Sequence, residues 1–167
     1  MKIRSPLLYL FLATTLIAFS AGATTTTIRV SGEILPETCD INTDNLNQDI
    51  DLGEYSVTDF PTAGSVTKMV PFSLEMTNCT AGISAAKMRF SGTSLNSTIF
   101  ALQGGGGDIG LELLNAGGQP LVPGALNRYT LNGGDNTLSF SMRLKSVKSS
   151  VTPGDLSATI FMDIEYE

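Results

Sequence analysis

Ala158-Thr159-Ile160-Phe161-Met162-Asp163-Ile164-Glu165-Tyr166-Glu167 closes the sequence with a period of two. Ala158, Ile160, Met162, Ile164 and Tyr166 fall on one side, with Thr159, Asp163, Glu165 and Glu167 mostly on the other. Successive side chains of an extended chain point to opposite faces, so this run reads as a strand with one apolar face. The same alternation recurs upstream. Residues 137–145 alternate Leu138, Phe140, Met142 and Leu144 with polar partners, and residues 70–78 place Phe72, Leu74 and Met76 on one face. Residues 88–91 and 110–114 are shorter candidates, and Thr26, Ile28, Val30, Gly32 and Ile34 alternate with Thr27, Arg29, Ser31 and Glu33. Turn chemistry separates these runs at Phe60-Pro61, Gly117-Gly118-Gln119-Pro120, Pro123-Gly124, Asn132-Gly133-Gly134-Asp135 and Pro153-Gly154. The pattern of a long amphipathic helix is missing, and short strands at this spacing predict an all-β sandwich.

Composition narrows the chemistry. A chain of 167 residues with 42% hydrophobic residues is one domain and buries a sizeable core. With no histidine there is no Ser-His-Asp triad, no Cys-His pair and no imidazole metal ligand. Ten Lys and Arg stand against 16 Asp and Glu, which argues against a nucleic-acid partner. Residues 1–23 read as a cleaved export signal. Lys2 and Arg4 supply its charge, residues 7–19 an apolar stretch shorter than a membrane span, and Ala21-Gly22-Ala23 the small-residue cleavage pattern. The mature chain is then expected to begin at Thr24. Losing Lys2 and Arg4 shifts the formal charge from −6 by two units, making the exported chain more acidic.

Export decides the use of Cys39 and Cys79. Two thiols in an exported chain usually pair, and their spacing is too long for a Cys-x-x-Cys redox site. A structural disulfide is expected, stabilising the fold by about 4 kcal/mol on the loop-entropy account. Gly104 to Gly107 lacks the Gly-Lys-Ser/Thr that completes a phosphate loop and reads as a flexible surface turn. Asp49 with Asp51, spaced to share a strand face, and Asp40 with Asp44 read as solvated loop carboxylates.

The two ends of the mature chain are strong strands, and an apolar terminal strand must bury its face somewhere. In this the chain resembles the pilin subunits of the chaperone and usher route in Gram-negative bacteria, most closely the small adaptor-like subunits of type 1 pili. The likeness covers the whole chain. It rests on the signal, the Thr-Ile-Arg-Val-Ser-Gly-Glu-Ile extension at 27–34, and Cys39 followed by Cys79. Asp51-Leu52-Gly53, Val70-Pro71-Phe72 before Thr77-Asn78-Cys79, Phe90-Ser91-Gly92, Leu111-Glu112-Leu113 and the penultimate Tyr166 add to it.

The resemblance implies an incomplete immunoglobulin-like β-sandwich that lacks its last strand, completed by a donor strand from a chaperone or a neighbouring subunit. It divides the chain into a signal (1–23), a donor-strand extension (24–35) and a pilin domain (36–167). Thr26, Ile28, Val30, Gly32 and Ile34 become groove-facing donors, Gly32 matching the family's small residue at the narrow point. Ala158, Ile160, Met162, Ile164 and Tyr166 become the strand that borders the groove. The implied partners are a periplasmic chaperone, an outer-membrane usher and head-to-tail neighbouring subunits, and the implied place is the fimbrium on the cell surface. No catalytic residue, metal, cofactor or small-molecule substrate is expected. The competing reading is a secreted carbohydrate-binding module. It is weakened by the absence of Trp and the few tyrosines, and by the lack of room for the extra lectin domain of the family's tip adhesins.

Overall fold

The computed structural model describes residues 38–42 and 47–167, and all the described residues belong to the unit Leu35–Glu167. The export signal, the extension carrying Thr26, Ile28, Val30, Gly32 and Ile34, and Asp44 lie outside them.

The alternating runs at 70–78, 88–91, 110–114 and 137–145 all fall in strands, as does most of the C-terminal run, and the described residues form an all-β sandwich. The strands are β1 (Asp40–Ile41), β2 (Val70–Cys79), β3 (Ala85–Ser91), β4 (Ser94–Asn96), β5 (Ile99–Ala101), β6 (Ile109–Asn115), β7 (Leu126–Thr130), β8 (Gly134–Ser146) and β9 (Phe161–Tyr166). A single 3-10 turn among the described residues, Val57–Asp59, is held by a capping box between Ser56 and Asp59. One sheet runs β1-β2-β8-β6-β5-β4 and the other β7-β3-β9, and every strand pairing is antiparallel.

The core lies between the sheets, where the apolar faces meet. Leu74 and Met76 of β2, Met88 and Phe90 of β3, Leu111 and Leu113 of β6, and Phe140 and Leu144 of β8 are all buried in it. Phe140 is its aromatic hub. It stacks on Phe72 at 5.3 Å and meets Phe90 and Tyr129 edge to face at 5.2 and 5.6 Å. On the far face of the larger sheet, Glu112 is only 1% exposed. Its carboxylate accepts from Arg143 Nε at 2.7 Å and from Lys145 Nζ at 2.8 Å.

The disulfide joins Cys39 to Cys79, as the export context predicts. It forms where β2 bulges between Met76 and Cys79. Asn78 takes a left-handed φ of 51° there, and its Nδ2 donates to Asp40 at 3.0 Å, tying β1 to the bulge.

Two sequence expectations change. The terminal strand starts at Phe161, not Ala158, because the chain bridges to Gln103 at Ser157 and joins the ladder with β3 only from Phe161 onward. Of the aspartates read as solvated loop carboxylates, Asp49 and Asp51 are exposed outside any strand, Asp51 Oδ1 accepting from the Gly53 amide at 2.9 Å, whereas Asp40 lies in β1 and not in a loop.

Candidate functional site

The last strand is a sheet edge. β9 pairs with β3 in the register Ala86↔Tyr166, Met88↔Ile164, Phe90↔Met162, and no described strand lies on its other side. Glu167 and Ala85 exchange both backbone hydrogen bonds, at 2.8 and 3.1 Å. Hydrogen-bonded and non-bonded pairs alternate along an antiparallel ladder, so Met162, Ile164 and Tyr166 turn their amides and carbonyls away from β3, toward the open edge.

Side-chain burial tells the same story. Ala86 and Met88 are 0% exposed and Phe90 3%, while Ile164, Tyr166 and Met162 opposite them are only half-buried, as is Ile160. Both strands face the same core. The residues of β3 have a strand on each side and those of β9 only one. Ala158 is exposed, outside the strand and its apolar face, so four of the five groove-side residues expected from the sequence share the half-buried row.

The larger sheet has a matching edge. Among the described strands β1 pairs with β2 alone, and Ile41, Ile50 and Leu52 pack half-buried on the same core as β9. At one end the two edges touch, where Tyr166 Oη donates to the carbonyl oxygen of Cys39 at 3.5 Å. Burial, with the nearby Asp40 charge, holds the Tyr166 phenol above its ordinary pKa. Among the described strands, neither β9 nor β1 has a neighbour on its outer side, and an open sheet edge over an apolar face, as along the seam between them, is what an added β-strand requires.

The C-terminal residue is anchored by groups the sequence did not single out. The Glu167 carboxylate is bridged by Lys87 of β3 and Arg128 of β7, and these two hydrogen bonds hold its pKa below the usual carboxylate value. Its backbone oxygen accepts from the amides of Ser84 and Ala85 at 2.8 and 3.1 Å. The signal was readable: Lys87 and Arg128 are the polar outward residues of alternating strands, but their partner depends on the β7-β3-β9 order, which the sequence does not spell out. Among the described residues no cluster of His, Cys, Asp and Glu is placed to hold a metal, and no helix is long and apolar enough to cross a membrane.

A two-sheet immunoglobulin-like fold lacking its final strand defines the pilin class of domain. The fimbrial protein family matches residues 28–167, and the chain belongs to that family. It is 37% identical over 151 residues to the S-fimbrial adhesin protein SfaS of Escherichia coli O6:K15:H31, covering 90% of each chain. It is 30% identical to the fimbrial subunit type 1 of Salmonella typhimurium, over 84% of this chain and 82% of that one. Among solved structures it is similar to the P pilus rod subunit PapA, with a TM-score of 0.67 and 26% identity over 77% of this chain and 99% of that one. It is likewise similar to the subunit of a chaperone-usher pilus, with a TM-score of 0.69 and 25% identity over 90% of this chain and all of that one. The chain is therefore a fimbrial subunit, and its place is the surface fimbrium.

Proposed function

We propose that this subunit polymerises by donor-strand exchange and serves as a minor, adaptor-like pilin that supports adhesion. The observation that supports the reading is the open edge of β9 among the described residues, with half-buried Met162, Ile164 and Tyr166 beside their buried partners Phe90, Met88 and Ala86 on β3. A periplasmic chaperone first lends a strand to this edge, and the extension of the next subunit then replaces it. Thr26, Ile28, Val30, Gly32 and Ile34 are the donors to the neighbour. Burying Ile28, Val30 and Ile34 contributes roughly 5 to 9 kcal/mol before the ladder of hydrogen bonds is counted. Donor and acceptor surfaces differ, so the contact is head to tail and generates an open filament. The work is done by strand pairing, without a catalytic residue, after export through the periplasm and passage through an outer-membrane usher.

The test is a thermal melt of residues 36–167, refolded oxidised, with and without a peptide spanning a family donor strand. A large rise in melting temperature, lost when the peptide's small groove-facing residue is enlarged, supports the mechanism. A domain already stable and indifferent to the peptide has a closed seam and overturns it.

A second reading, adhesion by this chain itself, is favoured by one observation. The relative called an adhesin is covered over 90% of its length by this chain, so an adhesin of this family needs no additional lectin domain. That removes the size argument against a binding role.

A further inference from the structure

Phe161 is the most exposed large hydrophobic side chain among the described residues, at 65%. It opens β9 on the outward face it shares with Asp163 and Glu165, where alternation calls for polar residues. Leaving such a ring in water forgoes the stabilisation that burial gives, and here the exposed ring stands beside a concavity. The ring borders a cleft of about 260 Å³ at the corner where the chain leaves β3 and crosses to the other sheet. Gly92 and Thr93 form one wall, Leu102 and Gln103 another, and Thr159 the third.

The corner is rigid. Gln103 and Ser157 exchange backbone hydrogen bonds at 2.8 and 3.2 Å, and the Ala101 amide donates to Thr93 O at 2.8 Å. A Cβ at Gly92 would lie 3.0 Å from Thr159 O and 3.2 Å from the Phe100 ring, so the small residue keeps this wall thin. Rigid framing does not extend to the polar side chains. Neither the hydroxyls of Thr93 and Thr159 nor the amide of Gln103 takes part in a side-chain hydrogen bond within the described residues. The cleft thus combines an exposed aromatic face, uncommitted neutral donors and acceptors, and no ionisable side chain in its lining.

We propose that this cleft is a subsite for one neutral pyranose ring, its C–H face stacked on Phe161 and its hydroxyls bonded to Thr93, Thr159 and Gln103. The proposal rests on the adhesive second reading and names its ligand class. Size limits the ligand to something as small as a single ring, since the volume lies below the roughly 300–1,000 Å³ of sites for drug-sized ligands. Charge selects against anionic sugars, because the lining supplies no cation and the chain carries a net −6.

The test uses the mature chain from Thr24, with a donor-strand peptide bound, titrated with methyl hexopyranosides and, separately, with N-acetylneuraminic acid. Protein resonances are the readout. The expected result is saturable perturbation of the Phe161 ring and of the Thr93 and Thr159 methyls by a neutral glycoside. Affinity should fall about tenfold in Phe161→Ala, with an unchanged melting curve because the ring is exposed. The proposal is overturned if no neutral glycoside binds, if only the acidic sugar binds, or if Phe161→Ala binds normally. It is also overturned if binding appears only without the donor peptide, since the cleft is then the end of the strand-accepting seam. Adhesion of fimbriated cells to a neutral-glycan surface separates the two levels. Adhesion indifferent to Phe161→Ala puts the sugar site elsewhere and overturns this proposal, while no adhesion with either chain ends the adhesive reading itself.

Discussion

Tyr166 Oη donates to the carbonyl oxygen of Cys39 at 3.5 Å, so the last inward side chain of β9 rests on the backbone of the disulfide that tethers β1. The two sheet edges are stapled at this end, while Met162 and Ile160 remain half-buried toward the other. A strand entering the seam would therefore meet a fixed end and an open one, and would displace no described strand to bind.

That contact has a pH signature. Burial, reinforced by Asp40, raises the Tyr166 phenol above its ordinary value of 10.0. The folded state favours the neutral form, so this stabilisation is complete below the unfolded pKa and is lost as pH rises through the higher folded one. Tyr166→Phe should cost about 0.5–1 kcal/mol at neutral pH and flatten the alkaline decline. Urea melts of both chains across the alkaline range check this, and an unchanged alkaline limb contradicts it. Tyr129, raised by burial alone, contributes to the decline that remains.

Glu112 provides the acid-side counterpart. Burial raises its pKa, but the hydrogen bonds from Lys145 and Arg143 outweigh it, leaving the carboxyl below its ordinary value of 4.5. Its stabilisation is present above that value and disappears as pH falls through the lower folded pKa. Glu112→Gln leaves both cations without their counter-charge and should destabilise by about 2–4 kcal/mol, the lower part of the range applying because both cations reach solvent. Melts of the two chains as pH is lowered below 4.5 should converge.

The Gly104 to Gly107 segment is a bend and turn, as the sequence suggests, and it packs closely at its first glycine. Asp108 accepts from Lys148 Nζ at 2.6 Å and Thr152 Oγ1 at 2.7 Å, and a Cβ on Gly104 would lie 1.8 Å from Asp155 O at a φ of +89°. Gly104→Ala should cost about 3 kcal/mol or more. Gly118→Ala, at a φ of +74° with nothing within 4 Å, meets only the conformational penalty of about 1–2 kcal/mol. Thermal melts that rank the two equally would show that packing is not what fixes the loop.

What the sequence made legible follows from which forces are local. Alternation in 137–145 and at the C-terminus declares strands because the pleat is a property of the chain itself, and the cysteines declare their bond once export is read. β4 and β5, of three residues each, are too short for a period to show. The Glu167 anchor, the Glu112 triad and the Phe161 cleft all join residues brought together by strand order. The start of β9 lies three residues later than the alternation suggests, because Ala158 continues the apolar pattern before the chain has joined the ladder with β3. The open edge was implied by the family resemblance rather than by pattern, since a strand's sequence looks alike with one neighbour or two.

The donor half of the mechanism is tested at Gly32. If it faces the narrow point of a neighbour's seam, Gly32→Arg places a long charged side chain against an apolar floor and unpaired main-chain groups. The variant should still fold with a periplasmic chaperone, since its own seam along Ile160, Met162, Ile164 and Tyr166 is untouched, yet fail to donate to the next subunit. Deleting residues 164–167 is the complementary lesion. It removes the pairings of Ile164 and Tyr166 with β3, together with the Glu167 bridge to Lys87 and Arg128, and should abolish chaperone capture. Co-purification with the chaperone and incorporation into surface fimbriae separate the outcomes: Gly32→Arg captured but not incorporated, the deletion neither. Normal incorporation of either chain would mean that strands are not exchanged at these two places.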